Sequence, residues 1–537
     1  MNASHQSPPL DPLSTPLQDA GLASVPFWLL VAFVLLVGAL LRVPALPESL
    51  WVDELHTAWV VEDGLGEIAN RARMGNQSPL YFYAVWPIRV ILGRHEVSYR
   101  LLSLLAGFGL IVTAMLVARR SVGGYVAPAV AGLILAVDRD MIFFSTEARV
   151  YALIQWGVPL HLLLTLGLLR SPHRGIFLLW SITGAALFYL HYTAVLPLAV
   201  EMTLAVLLAR GRTARLSFSL AGLGIFVLCL PMAWHLLEIA GARENWATFI
   251  RHDDAGEWLR WQQVLWLSAP LAAIAIIDLI WRKTPRESTW RPIPRATSGL
   301  LLVAATALLP VVLAYFLTAT DTLALFFGRY LIASQTLLLV MPLVLSLMIR
   351  PGRWRVIGLI ATLLLAFWMR PPQSIRALDF ARWPATVQQP RQENWREAVQ
   401  AVNRHLPDEP TETVVLVASG LIEADGLRRE HDASLRQYAL LPIRSIYRLQ
   451  AKEVDAIPLA YRSPGRLSRW QVARIGNAQR VILIYRGSRA RADTAAAEIL
   501  QSLPATAGND QAATKPLFQS GQMQVLELSL SAEEPVP

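Results

Sequence analysis

Cysteine is nearly absent from this 537-residue chain: the single Cys229 lies inside an apolar run, so no intrachain disulfide and no thiolate metal cluster can form. Charge is scarce as well. Only 16% of residues are Asp, Glu, Lys or Arg, against roughly 25% in an average soluble domain, which argues against an ordinary cytoplasmic enzyme. No Walker sequence occurs, and Gly420 and Gly426 do not make a G-x-G-x-x-G, so a nucleotide-binding fingerprint is missing. No internal repeat is evident, which counts against the inverted-repeat transporter folds.

What fills the chain is apolar. Hydrophobic residues make up 54% of it, and the mean hydropathy of +0.41 averages two unlike parts. Residues 25–370 hold repeated apolar runs of helix-spanning length, and the rest does not. The sequence therefore reads as a mostly α polytopic membrane protein: a disordered cytoplasmic tail over 1–24, a transmembrane domain over 25–370, and an α/β soluble domain over 371–537. About eleven spans are expected, at 25–46, 98–118, 123–137, 150–169, 175–190, 192–209, 216–237, 262–281, 297–318, 330–349 and 355–370. The run Pro79–Leu92 is shorter, carries Arg89 and Pro87, and is rich in Tyr and Trp, so it is expected as a helix lying along the membrane surface.

Residues 371–537 hold 20 basic against 18 acidic groups, which leaves about +7 of the formal +9 in the membrane half. That excess marks topology, and nucleic-acid binding does not follow from it. Arg119 and Arg120, Arg170 and Arg174, Arg210 to Arg215, Arg282 to Arg295, and Arg350 to Arg355 all fall in alternate short connections, hence on one side, the cytoplasmic one. An odd number of spans then puts the 47–98 segment and the C-terminal domain together on the extracytoplasmic face of the cytoplasmic membrane. In that domain, 393–406 has helical apolar spacing, while 412–419, 480–487 and 523–530 read as buried strands.

Ionisable residues gather at one set of span ends. Asp53 and Glu54 stand side by side after the first span, at the start of a short helix expected over Leu55–Glu62. Two such carboxylates suit acid–base work, but they equally suit an N-cap and a first-turn residue favoured by the helix dipole. Arg100 opens the second span; Glu147, Arg149 and Tyr151 precede the fourth; His191 and Tyr192 form an outer turn; Arg329 and Tyr330 open the tenth. Taken singly, each also reads as a snorkelling or aromatic-belt anchor. His161 and His235 read as packed core, and Asp278 as a partner of Arg282 or Lys283.

In order and spacing these elements resemble the GT-C superfamily of membrane glycosyltransferases, in its branch of protein O-mannosyltransferases and aminoarabinose transferases. The resemblance covers about residues 25–350. It is carried by Asp53-Glu54, by Gln77 to Tyr83 (Q-S-P-L-Y-F-Y), by Arg100, by Glu147 to Tyr151 (E-A-R-V-Y), by His191 to Thr193 and by Arg329-Tyr330. Ser78-Pro79 stands where that family usually has a double proline. The resemblance implies transfer of a sugar from a polyprenyl-phosphate donor to a hydroxyl of a glycan, lipid or protein acceptor, with inversion. It further implies Asp53 as general base, with Glu54 and Glu147 shaping the pocket. Arg100, Arg149 and Arg329 become phosphate ligands, and Tyr151, His191, Tyr192 and Tyr330 line the donor site. No cofactor is expected to be required, although Asp53, Glu54 and Glu147 could bind a divalent metal. The competing reading is a transporter or flippase of lipid-linked envelope precursors, which would put its charged groups near mid-bilayer.

Overall fold

The structure is a computed structural model that describes residues 24–232, 235, 237, 250–281, 294–349, 352–371, 393–406, 413–428, 432–450, 454–476, 478–503 and 514–529. The expected N-terminal tail, and the suggested partners of Asp278, lie outside these residues. In chain order the helices up to residue 371 are α1 (Val25–Arg42), α2 (Val52–Val60), α3 (Leu65–Met74), α4 (Leu80–Leu92), α5 (Glu96–Ser121), α6 (Val126–Val137), α7 (Arg139–Ser145) and α8 (Tyr151–Arg170). They continue as α9 (Arg174–Leu190), α10 (Val195–Leu208), α11 (Arg212–Cys229), α12 (Ala255–Trp266), α13 (Ala269–Trp281), α14 (Pro294–Ala319), α15 (Ile332–Ser346) and α16 (Gly352–Met369).

The chain forms two compact units, one of Met1–Ala45 with Arg100–Gln389 and one of Leu46–Tyr99 with Pro390–Pro537. Sequence alone had grouped the 47–98 segment with the membrane half. It packs instead with the C-terminal segment, through hydrogen bonds between residues more than 300 apart in the chain.

The first unit is helical because its apolar runs can satisfy their backbone only within the segment once water is excluded. Among the described residues six helices are long and apolar enough to cross a membrane, and the pair α12 and α13, bent by 42° at its break, would make a seventh. The segments α6, α9, α10 and α15 stand where spans were expected. At 12 to 17 residues and about 1.5 Å per residue they fall short of a roughly 30 Å hydrocarbon core. The count of eleven is therefore not reproduced by length and composition.

Charged staples join these helices. Arg42, in the last turn of α1, is buried and donates to the carbonyls of Ala136 (2.7 Å) and Leu135 (3.0 Å) and to Ser145 Oγ (2.8 Å). A cation at the C-terminal end of α6 satisfies carbonyls that the helix itself leaves open. Gly107 of α5 faces the same Ser145, and a Cβ there would come within 2.5 Å of Ser145 Cβ.

Asp138 ends α6 and caps α7, accepting from the N–H groups of Asp140 (3.0 Å) and Met141 (3.1 Å). Arg370, just past α16, donates to Asp138 Oδ2 (2.5 Å) and Asp140 Oδ2 (2.7 Å), and Gln335 of α15 also donates to Asp140. Arg139 and Arg260 stand 3.8 and 3.9 Å from the Asp140 carboxylate. A second buried network ties α8, α9 and α10. His161 Nδ1 lies 2.8 Å from Glu201 Oε1 and its Nε2 lies 3.1 Å from the Trp180 carbonyl, while the Thr165 hydroxyl donates to Glu201. His161 is buried as expected, but in a polar network whose carboxylate the sequence reading did not single out.

The second unit contains α2 to α4 and a C-terminal α/β body. Its elements are α17 (Trp395–His405), β1 (Thr413–Ala418), β2 (Asp455–Pro458), α18 (Arg469–Ile475), β3 (Arg480–Arg486), α19 (Arg489–Ser502), β4 (Thr514–Ser520) and β5 (Met523–Ser529). The sheet order is β2-β1-β3-β5-β4, with β1 parallel to β2 and β3, and β5 antiparallel to β3 and β4. Val414, Leu416, Val481, Leu483, Leu526 and Leu528 form one face, packed with Ala492, Ala496 and Ile499 of α19. The alternate residues Val415, Val417, Ile482, Ile484 and Val525 are buried too. Burial on both faces explains why β1 and β3 read as continuous apolar runs. The helix and the three strands expected from sequence are present at their expected places. The short β2 and the polar edge strand β4 were not expected, since neither carries an apolar run.

Candidate functional site

Asp53 and Glu54 belong to the second unit, in the first turn of α2. The helix starts at Val52, one turn before the expected Leu55, because Glu54 Oε2 accepts the Trp51 N–H (3.3 Å) and closes the first turn. Glu54 is buried, so this oxygen serves as a helix cap; Asp53, half-buried, is the residue of the pair with access to solvent.

The stretch before Asp53 is held from the C-terminal segment of the same unit. Glu393 accepts the Val52 N–H at 3.0 Å, the Trp395 indole N–H at 3.0 Å and the Arg486 guanidinium at 2.7 Å. Burial pushes the Glu393 carboxyl up, against the pull of Arg486 and the two N–H donors. The Tyr447 hydroxyl accepts from the Leu50 N–H (2.8 Å) and donates to Glu96 Oε1 (2.9 Å). Arg396 donates to the Pro47 carbonyl (3.0 Å) and to Glu96 (2.9 Å), and its own N–H goes to Ser49 Oγ (3.1 Å). Sequence reasoning missed Glu393, Arg396 and Tyr447, which carry no motif.

Glu423, in the 3-10 stretch Ile422–Arg428, is a further carboxylate of this region. Burial pushes it up to about 7, its own backbone N–H opposing and the charge of Asp53 adding to the rise. Its ordinary value is 4.5, so between pH 4.5 and 7 the unfolded chain loses this proton while the folded chain keeps it, and stability falls as pH rises through that window. Glu423→Gln is expected to stabilise the protein by about 2 kcal/mol at pH 8 and to be neutral at pH 4. Thermal unfolding of both forms in detergent at the two pH values checks this; a gain at pH 4 equal to that at pH 8 would assign the effect to packing.

The other expected residues belong to the first unit. Arg100 is fully buried on α5 and donates to the Ala45 carbonyl (3.1 Å). Ser103, one turn on, donates to the Arg149 carbonyl (2.9 Å) and so fixes the E-A-R-V-Y segment against α5. Glu147 is fully buried, and Arg149 nearly so, in a tight turn where the Arg149 N–H meets the Glu147 carbonyl at 2.8 Å.

Five of these residues converge. The His191 ring lies 5.8 Å from that of Tyr151 and 6.0 Å from that of Tyr330, and the Arg329 guanidinium sits over the Tyr151 ring at 5.8 Å. Burial pushes the His191 imidazole down to about 4, and the charge of Arg149 pushes the same way. Its Nδ1 accepts from Thr193 Oγ1 (2.7 Å) and the Thr193 N–H, so the ring proton of the neutral imidazole is assigned to Nε2. A neutral N–H donor, two guanidinium groups and two phenols thus share one place. Such a set suits a phosphate, whose oxygens guanidinium can bind two at a time. Tyr192 turns away from this group: its hydroxyl meets His235 Nδ1 at 2.6 Å.

The loop bearing Arg329 is itself anchored. The hydroxyl oxygen of Thr318 accepts the N–H groups of Leu325 and Phe326, both at 2.9 Å. Gly328 donates its N–H to Glu257, and a Cβ on it would fall 1.9 Å from Arg260 Nη1, so only glycine lets Arg260 lie against this backbone. The sequence signal that was overlooked is Asp138-Arg139-Asp140, a D-x-D spacing whose carboxylates the fold gives to Arg370. Among the described residues no three His, Cys, Asp or Glu side chains gather in a way that could hold a metal ion.

No protein-family model and no curated protein matches the sequence. Solved structures similar to this chain include the crystal structure of ArnT from Cupriavidus metallidurans in the apo state, at 13% identity and a TM-score of 0.42 over 96% of this chain and 100% of that one. A second is the same organism's ArnT bound to undecaprenyl phosphate, at 12% identity and a TM-score of 0.38 over 95% and 100% of the two chains.

Proposed function

We propose that this protein is a membrane glycosyltransferase that moves a sugar from a polyprenyl-phosphate donor to an acceptor hydroxyl at the outer face of the cytoplasmic membrane, inverting the anomeric centre. The observation that carries this reading is the convergence of Arg149, Tyr151, His191, Arg329 and Tyr330 in the unit with the membrane-length helices. In the reaction the acceptor oxygen bonds to the anomeric carbon as the bond from that carbon to the lipid phosphate breaks. The phosphate leaves with its new charge held by Arg149 and Arg329 and by the Nε2–H of His191, and the hydroxyl proton goes to a carboxylate, the role that the sequence resemblance assigns to Asp53. Arg100 is held on the Ala45 carbonyl, Glu147 lies in the turn that bears Arg149, and Glu54 secures the helix that bears Asp53. The shorter helices α6, α9, α10 and α15 complete an eleven-span bundle, with the active site and the C-terminal body outside. The reaction needs no metal, and the acceptor is a glycan, lipid or protein.

A transporter or flippase of lipid-linked precursors is the second reading, favoured by His161 and Glu201, which meet inside apolar helices. One assay separates the two: purified protein receives a polyprenyl-phosphate sugar and extracted envelope acceptors, and free lipid phosphate is measured. Release matched by sugar on an acceptor supports the transferase. Movement of the lipid across a vesicle membrane with no release would replace it with the transporter.

A further inference from the structure

In the second unit three guanidinium groups meet one carboxylate. Glu62 lies just past α2, its side chain 3% exposed, with Arg94 Nη2 at 2.7 Å and Arg89 Nη2 at 3.3 Å, and it also accepts from Arg448. Three positive charges on one negative charge leave a formal excess of two. The other groups alongside do not cancel it: Asp63 is taken by Arg71, Glu96 by Arg396 and Tyr447, and a ring nitrogen of His95 meets the Leu92 carbonyl. The Arg94 and Arg448 side chains are 51% and 52% exposed, so they keep N–H donors turned to the outside.

The helix that leads into this cluster is apolar on two sides. Tyr81, Phe82 and Val85 of α4 are buried in the unit, whereas Tyr83, Pro87, Val90 and Ile91 are exposed. These last four follow i, i+4, i+7 and i+8, one stripe along a helix. Ile91 is 79% exposed, and Leu92 beside it is exposed as well. An apolar stripe ending in arginines is out of place in water and suited to the boundary between acyl chains and headgroups. The excess positive charge at its end is complementary to phosphate, and guanidinium binds phosphate through paired N–H groups.

We propose that the exposed stripe of α4, together with Arg94 and Arg448 at its end, is a docking surface for the phosphate headgroups of anionic phospholipids. Ile91 and its neighbours enter the acyl boundary, while the two arginines spend their outward donors on lipid phosphate and keep Glu62 behind them. No residue of this surface belongs to the convergence around His191, and the proposal holds whether or not the chain transfers a sugar.

Cys229 is the sole cysteine, so a nitroxide can be placed on full-length Ile91→Cys in a Cys229→Ser background and the protein set in lipid nanodiscs. Collision with oxygen and with a water-soluble nickel chelate then reports depth. The label is expected to be shielded from the chelate, and deeper in discs containing phosphatidylglycerol than in pure phosphatidylcholine. A label fully open to the chelate in both discs overturns the proposal. Native mass spectrometry of the unlabelled protein supplies the second arm: phosphatidylglycerol should be retained roughly ten-fold better than phosphatidylcholine, and Arg94→Gln/Arg448→Gln should remove most of that preference. An unchanged preference in the double variant overturns the assignment of those arginines. If the double variant fails to fold, the depth comparison on the wild-type arginines decides.

Discussion

Asp53→Asn is expected to lower lipid-phosphate release by about 10³-fold while leaving donor binding nearly intact, the range set by loss of a positioned general base. The substitution keeps the size of the side chain and removes its ability to take a proton. Asp53 lies in the first turn of a helix whose start is fixed by Glu54 on the Trp51 N–H and by Glu393 on the Val52 N–H. The amide is therefore expected to leave the backbone in place, and circular dichroism and thermal unfolding should match the wild type. Single-turnover kinetics on a polyprenyl-phosphate sugar measures the chemical step apart from binding. Equal turnover in the two proteins would remove Asp53 from the reaction, and a lost fold would transfer the effect to stability.

The second large effect concerns stability. Arg370→Met is expected to cost about 3–5 kcal/mol, because it leaves Asp138 and Asp140 buried without their nearest cation. Arg139 and Arg260, at 3.8 and 3.9 Å from Asp140, recover part of the loss for that carboxylate. The triple change Arg370→Met with Asp138→Asn and Asp140→Asn removes both charges along with the cation and should restore most of the midpoint. Asn remains an effective cap for α7 at position 138, so the capping bonds to Asp140 and Met141 survive. Scanning fluorimetry of the three proteins in one detergent reads the result. A triple variant no more stable than Arg370→Met would show that packing of the arginine, and not its charge, holds α16 to the α6–α7 junction.

Much of this architecture was legible because membrane helices and two-sided strands are written in composition. The apolar runs put helices at every expected span, and β1, β3 and β5 announced themselves as continuous apolar segments. Tyr151, His191, Arg329 and Tyr330 each stand near the end of a helix, which is what drew the sequence reading to them, and their side chains meet at 5.8 to 6.0 Å. The segment carrying Asp53 followed no such rule. Its partners Glu393 and Tyr447 lie 341 and 397 residues from the backbone groups they bind, and a hydrogen bond to a main-chain N–H asks nothing of the local sequence. Arg370 is 232 residues from Asp138; the D-R-D spacing itself went unread, and nothing in it names the cation that meets it. Tyr192 failed for a different reason. Consecutive residues in a turn face different ways, so His191 joins Tyr151 and Tyr330 while its neighbour joins His235.

The shared unit of Leu46–Tyr99 and Pro390–Pro537 changes what truncation means for this protein. A chain cut after residue 371 would not leave the remaining segments undisturbed. It would lose Glu393, Arg396 and Tyr447, and with them the clasp on residues 47–52, so any loss of function could not be read as the loss of the C-terminal body alone. Moving either stretch into another chain would require grafting both as one cassette, since their hydrogen bonds run from one to the other.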